Sequence, residues 1–317
     1  MDPNTAIEIA KAGAPILQSS LSGIVGAILG TLFLRRTTTV TECEKLKAGK
    51  FSEVTDKLLA EGKMSYLELY RCNNFLKIAQ LADETLSQDA TDSTAGAHTE
   101  YDFDWFIRFF DAAGYISNQE MQQLWAKVLA GEISNHGLFS FRTLETLRNL
   151  NQKEAKLFQT ISKFVLTEQT GIKFVLSMFD DAAVDINEAY GIRRQEFIVL
   201  EDCGLLNSIR SDNRISLNVY PSGIWNDDII LVVKYKRSDG MLLSYKYSCY
   251  TLTPAACQLL TVLQPVCDND YLLKAGIELN KKYSSNLMVT AHRIIDNRLD
   301  SSKYDESVDI LSGAQNI

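Results

Sequence analysis

Residues 101–158 have the sequence YDFDWFIRFFDAAGYISNQEMQQLWAKVLAGEISNHGLFSFRTLETLRNLNQKEAKLF, and this stretch decides the fold of the chain. Its apolar residues recur at the i, i+3, i+4, i+7 spacing of amphipathic helices. Glycines and the capping sequences SNQE (117–120) and NQKE (151–154) divide it into successive segments. Four helices with short joints predict a compact helical domain.

Two of these helices are expected to supply the core of that domain. The residues predicted to lie in it are Trp105, Phe106, Phe110, Leu124 and Trp125. Trp125 shares a helical face with apolar neighbours, so we interpret it as a core residue and not as a platform for stacking a ligand. Gly131 is expected to end its helix. Arg108 is predicted to form an ion pair with Asp104 or Asp111.

Upstream of this stretch, the pattern from Val40 to Glu84 is also helical. Gly62 is a predicted helix stop, and SYLE (65–68) is a predicted capping box that opens the next helix. The segment TLSQDATDSTAGAHTEYD (85–102) loses apolar periodicity and is rich in Ser, Thr, Asp and Gly. That composition predicts a linker.

The final third of the chain changes to a β-rich pattern. A helix is predicted up to Gly204, and the segment DIILVVKYKRSDGMLLSYKYSCYTL (228–252) predicts a β-hairpin that turns at Asp239 and Gly240. Thr253 is predicted to cap the helix that follows. The order helix, strand, hairpin, helix predicts a winged-helix-like module.

The predicted fold class is therefore mainly α with a smaller α+β module. The expected parts are an N-terminal hydrophobic helix (1–38), a helical segment (39–84), a linker (85–102), a helical bundle (103–190), the winged-helix-like module (191–300) and a flexible tail (301–317).

The N-terminal hydrophobic helix carries a long uncharged stretch. No residue from Ala12 to Leu34 is charged, and Arg35 and Arg36 follow at once. About 20 residues of helix span a bilayer core, so this stretch predicts a transmembrane segment in contact with lipid. The two arginines mark its predicted membrane boundary, and the positive-inside rule places the C-terminal body in the bacterial cytoplasm.

Small residues in the same stretch predict self-association. Ser22, Gly26 and Gly30 lie four residues apart on one side of the helix, a spacing that lets two helix backbones approach closely. The alternative is a helix that packs in a soluble assembly. Both interpretations predict a homo-oligomer.

Composition and motifs disfavour nucleic-acid binding, metal binding and catalysis. The net charge of −8 disfavours nucleic-acid binding, which needs a surplus of basic residues, and the charges of the β-rich module nearly cancel. The six cysteines show no C-x-x-C spacing, and HTEYDFD (98–104) is better explained as a solvated acidic loop than as a metal site. We therefore expect no catalytic residues, no metal and no cofactor.

Three stretches resemble known bacterial proteins. SFRTLETLRNLNQKEAKLF (140–158) and YTLTPAACQLLTVLQPVC (250–267) resemble abortive-infection alpha proteins, and LWAKVLAGEISNHGLFSFRTL (124–144) resembles a related family of unknown function. The resemblance spans roughly residues 101–267. It implies a defence role in which a phage-infected cell is sacrificed or arrested in response to a phage trigger or a protein partner, and it supplies no catalytic residues.

Together these patterns predict a membrane-anchored, self-associating bacterial protein of the inner membrane, and not an enzyme. An anti-phage, abortive-infection role is expected from the resemblance. The alternative is a soluble, cytoplasmic, oligomeric interaction or regulatory protein whose winged-helix-like module contacts protein or nucleic acid.

Overall fold

The computed structural model describes residues 59–62, 65–88, 102–168, 170–178, 186–207, 210–216, 223–236, 244–285, 287–296 and 303–314. The chain divides between Arg148 and Asn149 into two compact units. We call the described residues up to Arg148 the helical unit and those from Asn149 onward the sheet unit. The predicted N-terminal helix (1–38) lies outside the described residues.

The helical unit contains α1 (Tyr66–Gln88), α2 (Phe103–Ala113), α3 (Gln119–Ser134) and α4 (Phe141–Asn149), the last of which ends at the boundary between the units. The predicted capping box of α1 is confirmed, because the Glu68 amide donates to Ser65 Oγ at 3.2 Å and the Ser65 amide donates to Glu68 Oε2 at 2.7 Å. Helix α1 continues to Gln88, so the first four residues of the predicted linker are helical.

Two local predictions about α3 need correction. The residue that caps its N-terminus is Asn118 and not Ser117, since Asn118 Oδ1 accepts from the Met121 amide. The helix also runs through Gly131 to Ser134, so the prediction of a stop at Gly131 is wrong. A Cβ on Gly131 would lie 3.0 Å from the Phe139 ring. The glycine therefore permits close packing inside the helix and does not end it.

The sheet unit contains both helices and strands. Its elements are α5 (Gln152–Ile161), β1 (Leu166–Glu168), β2 (Lys173–Met178), α6 (Arg194–Asp202), β3 (Arg210–Ser216), β4 (Gly223–Trp225), β5 (Ile229–Tyr235), β6 (Ser244–Thr251), α7 (Pro254–Leu263), α8 (Asn269–Tyr283), β7 (Leu287–Asp296), β8 (Lys303–Tyr304) and α9 (Ile310–Ala314). The predicted caps Asn151 of α5 and Thr253 of α7 are confirmed. Short 3-10 turns cover Ser162–Phe164 and Ile186–Tyr190.

The strands form an antiparallel sheet in the order β3-β6-β2-β1-β4-β5-β7-β8. A chain that is mostly helical, with an antiparallel sheet toward its C-terminus, agrees with the predicted fold class at this coarse level. The helical run, however, stops at Phe164. Strands β1 and β2 follow, joined through Gly171 at a φ of +80°, so these residues form part of the sheet although they fell within the predicted bundle (103–190).

The predicted hairpin at Asp239 and Gly240 is wrong in its pairing. Strand β5 pairs with β4 and β7, whereas β6 pairs with β2 and β3, and three strands lie between β5 and β6 in the sheet. The pairing of β5 with β7 runs from Ile229 opposite Arg293 to Tyr235 opposite Leu287. The winged-helix interpretation depended on the hairpin, and the strand order gives it no support.

The C-terminal residues extend this sheet and pack on it. Residues 303–304 form β8 and residues 310–314 form α9, although both were placed in a predicted flexible tail. The His292 ring contacts the carbonyl oxygens of Asp305 and Val308 through Nδ1, at 3.0 and 2.9 Å. Leu311 of α9 is buried and lies against Gly276 of α8. These contacts fix the segment in place.

Candidate functional site

The seam Ser22, Gly26 and Gly30 and the boundary pair Arg35 and Arg36 all lie outside the described residues. Among the helices that the structure does describe, none combines the length and the apolar character needed to cross a bilayer.

The predicted core residues of the helical unit lie in an aromatic cluster. Trp105, Phe106, Phe110 and Trp125 are buried, whereas Leu124 is only half-buried. Phe109 joins the two tryptophans, with its ring centroid 5.2 Å from each. Trp125 is therefore inaccessible to a ligand from outside.

The joint between α2 and α3 is fixed by two buried amides. Asn74 Nδ2 of α1 donates to the Gly114 carbonyl at 2.9 Å, and Gln122 Nε2 of α3 donates to the Ile116 carbonyl at 2.8 Å. A Cβ on Gly114 would lie 3.0 Å from Arg71 Cβ, so glycine allows α1 to approach the joint closely. The start of α1 and this joint therefore form one rigid surface.

That surface exposes a group of large apolar side chains, which we call the α1 patch. Its members and their exposed fractions are Tyr66 (81%), Leu67 (57%), Tyr70 (44%) and Tyr115 (49%). The Arg71 guanidinium lies 4.8 Å from the centroid of the Tyr115 ring. Hydrogen bonding with the Ser117 side chain, and next with that of Asn74, lowers the pKa of Tyr70. The patch is thus positioned by the joint beneath it.

Arg71, and not Arg108, forms the ion pair with Asp111 of α2. Arg108, which was predicted to pair with Asp104 or Asp111, instead places its guanidinium 4.7 Å from the centroid of the Phe141 ring. The prediction was wrong because Arg71 of α1, which is distant from Asp111 in sequence, lies next to it in the fold.

The joint between α3 and α4 contains a buried carboxylate. Glu132 is 3% exposed, and its two oxygens accept from the amides of Gly137 at 2.7 Å and Phe139 at 3.0 Å. The Trp105 indole donates to the Phe139 carbonyl at 2.7 Å. Glu132 is therefore used to hold the loop that follows its helix.

We expect Glu132→Ala to lower the free energy of unfolding by on the order of 2–3 kcal/mol, because two backbone amides lose a charged acceptor. Urea denaturation of the full chain measures the loss. Glu132→Gln retains one acceptor and should fall between the alanine variant and the wild type. Equal stability of Glu132→Ala and the wild type would contradict this role.

Among the described residues, no group of three or more His, Cys, Asp or Glu side chains could hold a metal ion. Asp102, part of the acidic loop, caps α2 by accepting from the Trp105 amide at 3.0 Å. Burial raises the pKa of the thiols of Cys72, Cys203 and Cys267 to about 11, which disfavours the nucleophilic thiolate.

The sheet unit contains a buried polar cluster that sequence patterns did not reveal. Asn187 and Tyr271 are fully buried, and the Tyr271 hydroxyl lies 3.1 Å from Asn187 Oδ1 and 3.2 Å from the Leu176 carbonyl. The rings of Phe164 and Tyr190 lie 5.0 and 5.3 Å from the Tyr271 ring, centroid to centroid. The cluster joins α8, β2 and the Ile186–Tyr190 turn, which is a structural role.

Sequence reasoning also missed the α1 patch. The sequence SYLELY (65–70) indicated a capping box, and its apolar residues counted as part of a helical pattern. Which of them face solvent depends on how α1 packs on α2 and α3, and the sequence carries no separate signal for that.

Comparison with known proteins identifies a family for this chain. Over residues 60–274 the sequence matches a family described as "Protein of unknown function (DUF2806)". No curated protein and no solved structure matches the chain. The match says nothing about abortive-infection proteins, so that resemblance stays a prediction. Because the matched range covers more than half of the chain, the protein belongs to the DUF2806 family.

Proposed function

We propose that the protein is a membrane-anchored, self-associating bacterial protein. Its N-terminal segment joins the copies, and its two folded units lie on the cytoplasmic side. The observation that carries this proposal is the uncharged stretch from Ala12 to Leu34, with small residues at 22, 26 and 30 and two arginines directly after it. Lipid tails are as apolar as leucine, so close backbone packing at small residues is what joins helices there.

The helical unit presents an apolar contact surface near the N-terminal end of the described chain. The α1 patch combines three tyrosines and a leucine with a neighbouring arginine, and aromatic residues and arginine are enriched where protein surfaces meet. It lies at the start of the folded body, where the chain leaves the N-terminal segment. The anti-phage role rests on the resemblance of residues 140–158 and 250–267 alone.

We expect Gly26→Leu to keep the protein in the membrane but to reduce the size of its assembly. Leucine raises the apolarity of the segment and so favours insertion, while its side chain keeps neighbouring backbones apart. Chemical crosslinking and mass photometry of the detergent-solubilised full chain measure the assembly. Any toxicity of the wild type should be lost as well.

Gly30→Leu should behave in the same way, and Val25→Leu, outside the row of small residues on the helix, is the matched control. Wild-type assembly by both glycine variants would place the seam elsewhere. A full-length protein that stays in solution without detergent would contradict the membrane anchor itself.

The second candidate is a soluble oligomeric interaction protein. It follows if the same uncharged stretch, Ala12 to Leu34, packs against its copies in water instead of entering a bilayer. Fractionation separates the two candidates. An anchored protein stays in the pellet through carbonate washing and leaves it with detergent, whereas the soluble alternative stays in the supernatant throughout.

A further inference from the structure

We propose that the α1 patch is the docking surface for the preceding segment of the same chain, residues 51–58. The contact is intramolecular and covers Tyr66, Leu67 and Tyr70. The inference concerns how the N-terminal part of the chain meets the helical unit, and it holds whether or not the N-terminal helix enters a membrane.

The direction of the described chain supports this docking. Residues 59–60 are helical, and the Gly62 amide donates to the Leu59 carbonyl at 3.0 Å. Gly62 has a φ of +67°, a left-handed conformation that typically follows the end of a helix. Helix α1 starts only a few residues later, at the Ser65 capping box. Two antiparallel helices joined by a loop of about 2–5 residues form an αα-hairpin. In the proposed docking, the segment before Gly62 runs back along the first turns of α1 in this way.

The sequence of residues 51–58, FSEVTDKL, has the pattern that such a contact needs. Phe51, Val54 and Leu58 recur at i, i+3 and i+7, which places them on one side of a helix. Glu53 and Asp56 fall between them. This side presents three apolar side chains, and the surface at the start of α1 also presents three, those of Tyr66, Leu67 and Tyr70.

Size decides against a second copy as the occupant. A stable interface between two proteins buries about 800 Å² on each partner and involves about 20–30 residues a side. The α1 patch has four large apolar side chains. A segment joined to the patch by a short linker needs far less area, because tethering supplies an effective concentration on the order of millimolar.

A photo-crosslinking residue tests the proposal. In this experiment, Tyr66 would be replaced by p-benzoylphenylalanine in the full chain, and the detergent-solubilised protein would be irradiated. The expected product is a crosslink within one chain, located by mass spectrometry in residues 51–58. The same substitution at Gln80, an exposed position later on α1, is the control and should give no such product. A crosslink to a second copy, or none from position 66, would overturn the proposal.

Paired substitutions give a second measurement. Val54→Ser and Leu67→Ser should each lower the thermal midpoint of the helical unit, and the double variant should lower it by less than the two shifts combined, since both remove one contact. Glu53→Ser is the control for Val54→Ser. Strictly additive shifts would contradict the contact. Gly26→Leu should leave the intramolecular crosslink unchanged even where it disrupts assembly. The crosslink therefore tests the docking of residues 51–58, and the size of the assembly tests the proposed self-association, each independently of the other.

Discussion

Replacement of Trp125 by alanine should destabilise the helical unit by about 3–5 kcal/mol, the usual loss when a buried tryptophan is truncated. For a domain of this size the loss corresponds to a fall in Tm of more than roughly 10 °C. Trp125 is 0% exposed, and its ring lies 5.2 Å from that of Phe109, centroid to centroid. Alanine would leave a cavity in the middle of the aromatic cluster that the surrounding helices cannot close.

Two comparison variants refine this expectation. The Trp125 indole N–H is buried and has no hydrogen-bond partner among the described residues. Trp125→Phe removes this unpaired donor and keeps an aromatic ring, so it should cost much less than alanine. Gln123→Ala changes an exposed residue of the same helix and should have little effect.

Calorimetry of the full chain measures Tm, and amide hydrogen exchange shows which unit is affected. Faster exchange should appear in α2 and α3. Unchanged exchange in these helices after Trp125→Ala would show that Trp125 is not the centre of the core.

In the sheet unit, Tyr271→Ala should have an effect of similar size, also about 3–5 kcal/mol. The ring is fully buried between Phe164 and Tyr190, and its hydroxyl lies within hydrogen-bond distance of the Leu176 carbonyl and Asn187 Oδ1. The truncation removes both the aromatic packing and the polar contact between α8 and β2.

Tyr271→Phe separates these two contributions. It keeps the ring and removes only the hydroxyl, so it should cost about 1–2 kcal/mol. Asn187 retains its own bond to the Leu176 carbonyl, at 2.6 Å. Glu278→Ala, on the exposed side of α8, is the control, because its surface pair with Lys281 contributes little. Urea denaturation should rank the losses as Ala, then Phe, then the control; an equal loss for Phe and Ala would mean that the ring packing contributes nothing.

Much of the helical architecture was predictable because helix signals are local. The capping boxes at Ser65 and Asn151 and the cap at Thr253 lie where the sequence placed them, since a cap depends on residues within one turn. The position of α3 was also predicted, although its cap is one residue later than expected and it passes through Gly131. The buried positions of Trp105 and Trp125 follow from apolar periodicity alone.

The sequence by itself therefore determined where the helices of residues 102–164 lie, which aromatic residues are apolar enough to form their core, and that strands occur on both sides of Asp239 and Gly240. Only the tertiary structure decided which strands pair. Strand β5 has β7 as its partner across more than fifty residues of sequence, and not β6 after the nearby Asp239–Gly240 turn. Strand pairing joins backbone groups that every strand possesses, so the choice of partner depends on which faces the whole fold can bury. Tertiary packing likewise decided that Asp111 pairs with Arg71 and that the α1 patch faces solvent, and the fold of the loop after α3 decided that Glu132 holds Gly137 and Phe139.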